Sequence, residues 1–397
     1  MSGTVAPALL SSDGHGSRRR VAGLEPIRGL AALYVVVSHC RLLTFPGYPA
    51  NTGPGWHNWL LHGRLAVVVF ITLSGFSLAI APARDGWHLR GALRYARRRA
   101  WRILPPYWAA LVFSLAIAAT VSPLPLSDPP SIRSVVVYGL LMQDVVVAPV
   151  PNGAFWSIAV EAGLYFAFPL LLLMRRRAGA APTLALITVP VVAAGLLHPG
   201  MSAAGRSTGF TVELAPLFTL GLVAAGILTA GDRIRRWPWH WLAALAATPV
   251  ILLIGVKGSV WTVNRYYWVD LAIGPAIALL LAAVASRRSS GLMRLLDNSP
   301  LRGLGRISFS LYLIHLPIVS MISRRLVAPH VPPGMPAFWT TLVLAVPVAA
   351  VAAWCFAAVF ERPFQQHRSW ASLKTATCVR WERCRRPILR RPPWASH

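Results

Sequence analysis

The stretch 25-EPIRGLAALYVVVSHC-40 reads as a membrane-crossing helix, yet it carries Glu25, Arg28 and His39 among apolar residues. Ionisable groups in a span are costly, about 2.5–3.5 kcal/mol for a central Arg on insertion scales, so they face a bundle interior or a wet cavity. Arg28 and His39 are eleven residues apart. At about 100° per residue that spacing is about three turns, placing both on one face about 16 Å apart along the axis. One stripe of one helix presents a cation near one membrane surface and an imidazole deeper in. The fold this predicts is a helical bundle closed around that stripe.

The surrounding sequence fits. Of 397 residues, 55% are hydrophobic and 13% charged, which excludes a disordered chain and suits a polytopic membrane protein. The net charge of +27 invites a nucleic-acid reading, but the Arg residues sit in short clusters between apolar runs and no zinc-finger, RNP-like or helix-turn-helix pattern is present. The expectation is no nucleic-acid partner. Arg18–Arg20 ahead of an apolar run mimic a signal peptide; the run is long, charged and without a small-x-small cleavage site, so it reads as an uncleaved first span. Cys40 and Cys355 lie in apolar runs, and Cys378-x5-Cys384 has no partner set for a metal; all four read as ordinary thiols.

Apolar runs predict about ten spans, near 26–44, 65–83, 103–121, 157–174, 183–198, 211–229, 239–256, 267–285, 308–327 and 338–359. The fold class is therefore an all-α integral membrane protein with one bundle. Residues 1–20 form a flexible tail, 21–364 the transmembrane domain and 365–397 a basic cytoplasmic tail beside anionic headgroups. An eleventh apolar run, 133–148, contains Gln143 and Asp144. Ten crossings with the N-terminus inside put Arg84–Arg102, Arg175–Arg177, Arg233–Arg236 and Arg287–Arg306 in the cytoplasm. An eleventh would put every later cluster outside, so 133–148 is expected to be re-entrant or interfacial.

Five stretches carry chemistry-bearing residues. Phe70-x3-Ser74-Gly75-Phe76 reads first as a close-packing point. In Arg97-Arg98-Arg99-Ala-Trp-Arg102-Ile-Leu-Pro-Pro, Arg99 and Arg102 share a helical face; the cluster is either a topogenic flank or a pair of guanidinium forks for phosphate. Trp156-Ser157-Ile-Ala-Val-Glu161-x3-Tyr165 puts a carboxylate in an apolar run, where it needs a partner. With the preferred topology Glu161 is expected near the external end of its helix, at the level of His39, which it would orient or ionise unless it binds the acceptor; an ion pair with Arg206 or Arg265 is the structural alternative. Arg306-Ile-Ser308-Phe-Ser310-Leu-Tyr312-Leu-Ile-His315-x-Pro317 places Ser308, Tyr312 and His315 on one broad face, where His315 is either an interhelical donor or a direct participant. Phe360-Glu361-Arg362-Pro363 closes the last span, with Glu361 facing either a donor-site Arg or the surroundings of Arg362.

Together these stretches, in this order over residues 24–364, resemble the membrane-bound acyltransferase-3 family: Arg28-x10-His39 in its opening helix, then F-x-x-x-S-G-F, R-R-x-x-R-I-x-P, W-S-L-x-x-E, S-x-S-L-Y-L-x-H-x-P and E-x-P. The resemblance implies an integral-membrane O-acyltransferase of the cell membrane that moves an acyl group, acetyl by family frequency, from acyl-CoA to a hydroxyl of a surface glycan or of a hydroxylated secondary metabolite such as a macrolide. Acyl-CoA is then a co-substrate rather than a bound cofactor. Arg28, Arg99 and Arg102 are expected to bind it, and His39, with Glu161, to carry the chemistry; Trp156, Ser308, Tyr312, His315 and Glu361 are further candidates. A neutral imidazole suits the role of base toward a hydroxyl, and a transient acyl-His is a second route the resemblance leaves open. No H-E-x-x-H or comparable ligand set calls for a metal. Membrane lipid is the expected surrounding, and the oligomeric state is left open. The rival reading is a secondary transporter of a small anionic or glycan-like substrate, against which stands the lack of paired broken helices or repeated halves.

Overall fold

The computed structural model describes residues 21, 23–50, 53–121, 125–198, 211–286, 290–296, 298–367 and 371–375. The expected tail 1–20, Arg206, Cys378 and Cys384 lie outside the described residues, as does most of 365–397. Among the described residues nine helices are long and apolar enough to cross a membrane. They are α1 (Leu24–Thr44), α2 (Arg64–Ala83), α3 (Ala92–Val121), α5 (Trp156–Ala178), α6 (Ala180–Leu197), α8 (Trp239–Asn264), α9 (Tyr266–Ser286), α10 (Ser299–Val327) and α11 (Met335–Gln366). The tenth expected span is the shorter α7, Leu214–Leu228, an 11-residue helix extended by a 3₁₀ turn. Helix is the form available to such apolar runs, because it satisfies each backbone N–H and C=O within the segment. The chain is an all-α, multi-pass membrane protein.

α3 starts at Ala92, well before the apolar run does, so Arg99 and Arg102 stand on the helix rather than on a flexible flank. The run 133–148 does not form a span. Its helix α4, Ile132–Gly139, has eight residues and rises about 12 Å, against about 30 Å of hydrocarbon. The rest of 125–155 is irregular: its outer stretches are exposed or half-buried, and Pro151, Asn152, Ala154 and Phe155 enter the bundle interior. Asn152, 1% exposed, donates to Ser114 Oγ and to the Leu313 carbonyl, both at 3.1 Å. Tyr107 donates to the Tyr138 carbonyl at 2.8 Å, and Gln143 to that of Phe155 at 3.0 Å. Non-helical backbone at membrane depth is tolerated where protein supplies its partners, as here.

Two apolar cores organise the bundle, one built mainly from α2, α5, α7 and α9, the other from α1, α3, α10 and α11. Within the second, α1 and α10 run parallel and touch backbone to backbone. A Cβ on Gly29 would lie 2.7 Å from the Gly305 nitrogen, and one on Gly305 would lie 2.2 Å from the Glu25 carbonyl oxygen. Only glycine permits so close a crossing. In the first core Gly75 does the same against the Phe218 carbonyl of α7, so the close-packing reading of the Ser74-Gly75 pair holds for Gly75.

Candidate active site

Where the two cores meet, a cavity of about 380 Å³ opens in the half of the bundle that holds the Arg-rich helix ends. Five Arg and three Glu line it, a formal excess of two positive charges. α1 contributes Arg28, α3 contributes Arg99 and Arg102, and α10 contributes Arg306. The three arginines expected to act together therefore converge, although α1 and α3 are separated by α2 in the chain. Arg99 reaches over the ring of Tyr165, 5.9 Å from its centroid. Guanidinium forks held on rigid helices and facing a wet cavity suit a polyanion.

Glu161 sits on the wall of this cavity, its Oε1 accepting from Ser74 Oγ at 2.5 Å and from the Tyr165 hydroxyl. The expected pairing with His39 is not formed: the hydrogen-bond partners of His39 are the Val35 carbonyl and His315. The reason lies in α5. Its first turn begins inside the bundle, after the buried segment Asn152–Phe155, so residue 161 falls at the level of Arg28 and not at the level of His39. Arg265 is not its partner either; it stacks over Trp261 at 5.2 Å. Ser74, expected only to pack, lines the cavity and holds the carboxylate.

Glu361 also faces the cavity, at the end of a π-helical turn, Ala357–Glu361, that precedes Pro363. Proline cannot donate to the i−4 carbonyl, and the helix widens just ahead of it. Glu361 accepts from Ser310 Oγ at 2.5 Å and from Gln365 at 2.7 Å, so hydroxyl and amide donors hold it while Arg28 and Arg102 share its cavity. Ser308 lines the cavity too and donates to the Gly305 carbonyl at 2.8 Å.

Tyr312 closes the inner end. Its hydroxyl donates to the Ala154 carbonyl at 3.0 Å and, that proton being committed, accepts from Ser157 Oγ at 2.6 Å. One turn further along α10 lies His315, whose Nε2 is 3.1 Å from His39 Nδ1. The two histidines thus stand just past the cavity, with Tyr312 between: its ring centroid is 5.8 Å from that of His315.

Sequence reasoning missed a second polar centre, on the far side of the first turn of α5 from Glu161. Arg64 Nε donates to Asp270 at 2.6 Å and Nη2 to Glu213 at 2.9 Å, both carboxylates being fully buried. Its guanidinium also covers Trp156, 4.8 Å from the ring, which places that candidate in this structural cluster rather than in the cavity. The signal was present: Glu213 and Asp270 each interrupt an apolar run and require a partner, the same criterion that singled out Glu161.

The family model described as an acyltransferase domain matches residues 21–358. Among curated relatives, Acyltransferase MdmB of Streptomyces mycarofaciens is 27% identical over 324 residues, covering 76% of this chain and 79% of that protein. O-acetyltransferase OatA of Staphylococcus aureus (strain NCTC 8325 / PS 47) is 22% identical over 350 residues, 80% of this chain and 53% of OatA. YrhL of Bacillus subtilis (strain 168) is 27% identical over 387 residues, 87% of this chain. The chain spans about half the length of OatA and YrhL. No solved structure matches it. The motifs, their order on the helices and the match over most of the chain agree: this protein belongs to the acyltransferase-3 family of membrane acyltransferases.

Proposed function

We propose that this protein is an O-acyltransferase that takes an acyl group, acetyl in the first instance, from acyl-CoA and delivers it to a hydroxyl acceptor. One observation carries the reading: Arg28, Arg99 and Arg102 converge on a cavity whose inner end leads, along α1 and α10, to an imidazole. The phosphates of the donor bind the arginines. Its flexible arm runs inward along the wall, where the Glu161 carboxylate accepts hydrogen bonds from the amide N–H groups of that arm. The thioester then lies past Tyr312, beside His39.

The chemistry follows from that placement. His39 takes the proton of the acceptor hydroxyl as its oxygen attacks the thioester carbonyl. The C–S bond breaks, the acyl–oxygen bond forms, and the imidazolium returns its proton to the departing thiolate, giving ester and free CoA. The acceptor is a surface glycan or a hydroxylated secondary metabolite such as a macrolide; peptidoglycan-type and small-molecule acceptors share the hydroxyl this step requires. The basic clusters support an orientation with the cavity open to the cytoplasm and both chain ends on that side of the cell membrane.

The test uses purified full-length protein, radiolabelled acetyl-CoA and an extract of the producing cells. Transfer of label to a component of the extract, identified by mass spectrometry as an acetyl ester, supports the reading. Acetyl-CoA that neither binds nor loses its label, beside counterflow of a small solute in liposomes, would establish transport instead.

A further inference from the structure

The two histidines differ in a way that assigns them different work. His315 is fully buried, 0% exposed, whereas His39 is only half-buried. His315 Nδ1 faces two backbone carbonyls, those of Tyr312 at 2.8 Å and Leu311 at 3.1 Å. A carbonyl oxygen can only accept, so His315 carries its proton on Nδ1, and in the neutral ring Nε2 is a bare lone pair. That lone pair points at His39 Nδ1. His39 Nδ1 in turn lies 3.0 Å from the Val35 carbonyl, a second group that can only accept, so it too carries a proton. The two requirements, set by separate carbonyls on separate helices, agree: the single His39 Nδ1–H is shared between the Val35 carbonyl and His315 Nε2, which accepts from it. What remains on His39 is the Nε2 lone pair, which has no hydrogen-bond partner among the described residues.

We infer that His315 is a positioning residue: it fixes the tautomer and the ring plane of His39 so that Nε2 is the atom that receives the acceptor's proton. The inference rests on the reading of His39 as the base and deepens it. Backbone carbonyls play toward His315 the part that an orienting group plays toward a base in nucleophilic triads. Here the orienting group is a neutral imidazole rather than a carboxylate. When Nε2 takes a proton, the His39 Nδ1–H becomes a stronger donor and its bond to His315 strengthens, so the pair stabilises the imidazolium only while it exists. His315 itself touches neither substrate. Besides His39, at 5.0 Å between centroids, Tyr312 is a titratable side chain packed against it, at 5.8 Å.

Two amide substitutions separate this role from packing. In His315→Gln the amide oxygen can reach the position of Nε2 and accept from His39; in His315→Asn the amide reaches only the position of Nδ1. With purified full-length protein and radiolabelled acetyl-CoA, His315→Gln is expected to keep kcat within about tenfold of wild type. His315→Asn should lose on the order of 100-fold or more in kcat, with KM for acetyl-CoA unchanged in both. Equal rates in the two variants, whether both normal or both lost, would overturn the inference, as would loss of donor affinity in both. A His39→Ala control distinguishes the failures: retained turnover there refutes His39 as the base, whereas His39→Ala inactive with Gln and Asn indistinguishable refutes only the role of His315.

Discussion

His39 and His315 meet ten residues beyond the point where Gly29 and Gly305 touch, on two parallel helices that keep the same register over that distance. Ten residues are about 15 Å of helix. A backbone contact near the basic end of the bundle therefore sets, three turns away, whether two imidazoles come within hydrogen-bond reach.

That coupling predicts the outcome of a small substitution. A methyl group on Gly305 would fall 2.2 Å from the Glu25 carbonyl oxygen, so Gly305→Ala must push α1 away from α10. Overpacking of this kind costs about 1–3 kcal/mol. Thermal unfolding in detergent should shift down, and transfer activity should fall by more than the loss of folded protein accounts for, because His39 moves off His315. A Gly305→Ala protein with unchanged stability and rate would show that the crossing is not tight.

The arginines should fail in binding rather than in chemistry. Arg99→Ala and Arg102→Ala each remove a fixed positive fork from the cavity and are expected to weaken acetyl-CoA binding, with Lys restoring it only in part because it lacks the bidentate geometry. Isothermal titration or a filter assay on purified protein reads this directly. Unchanged affinity in the Arg99→Ala, Arg102→Ala double variant would leave the cluster a topogenic flank.

For the segment 125–155 the expectation is that both of its ends lie on one side of the membrane. Pro130 and Val147 are exposed and flank α4. Single cysteines at these positions, in a background without native cysteine, should both react with an impermeant thiol reagent applied from outside the cell. Labelling of one alone would mean that the segment crosses, and would invert every helix after it.

Much of this arrangement was legible in the sequence, and the exceptions have physical causes. Apolar runs located the nine helices long enough to cross, and the shorter α7 beside them, because a helix in lipid has no alternative way to satisfy its backbone; the charge pattern kept 133–148 from being counted as a further span. The convergence of Arg28 with Arg99 followed from their motifs. Depth was not legible. Counting from helix ends put Glu161 beside His39, since nothing local reveals that α5 starts inside the bundle behind Asn152; that buried segment moves Glu161 to the level of Arg28. Pairing across helices was equally hidden. Arg64, Glu213 and Asp270 each look isolated in sequence, and only the packing of α2, α7 and α9 brings them together.

In the proposed transfer His39 is the group that receives the acceptor's proton. His39→Ala removes that acceptor and no phosphate contact, so it is expected to bind acetyl-CoA with wild-type affinity while transfer falls on the order of 100- to 10,000-fold. Measuring both quantities on one preparation of the variant is the most direct test. Normal donor binding with abolished transfer is the predicted result; normal binding with transfer at near the wild-type rate would contradict the mechanism at its centre.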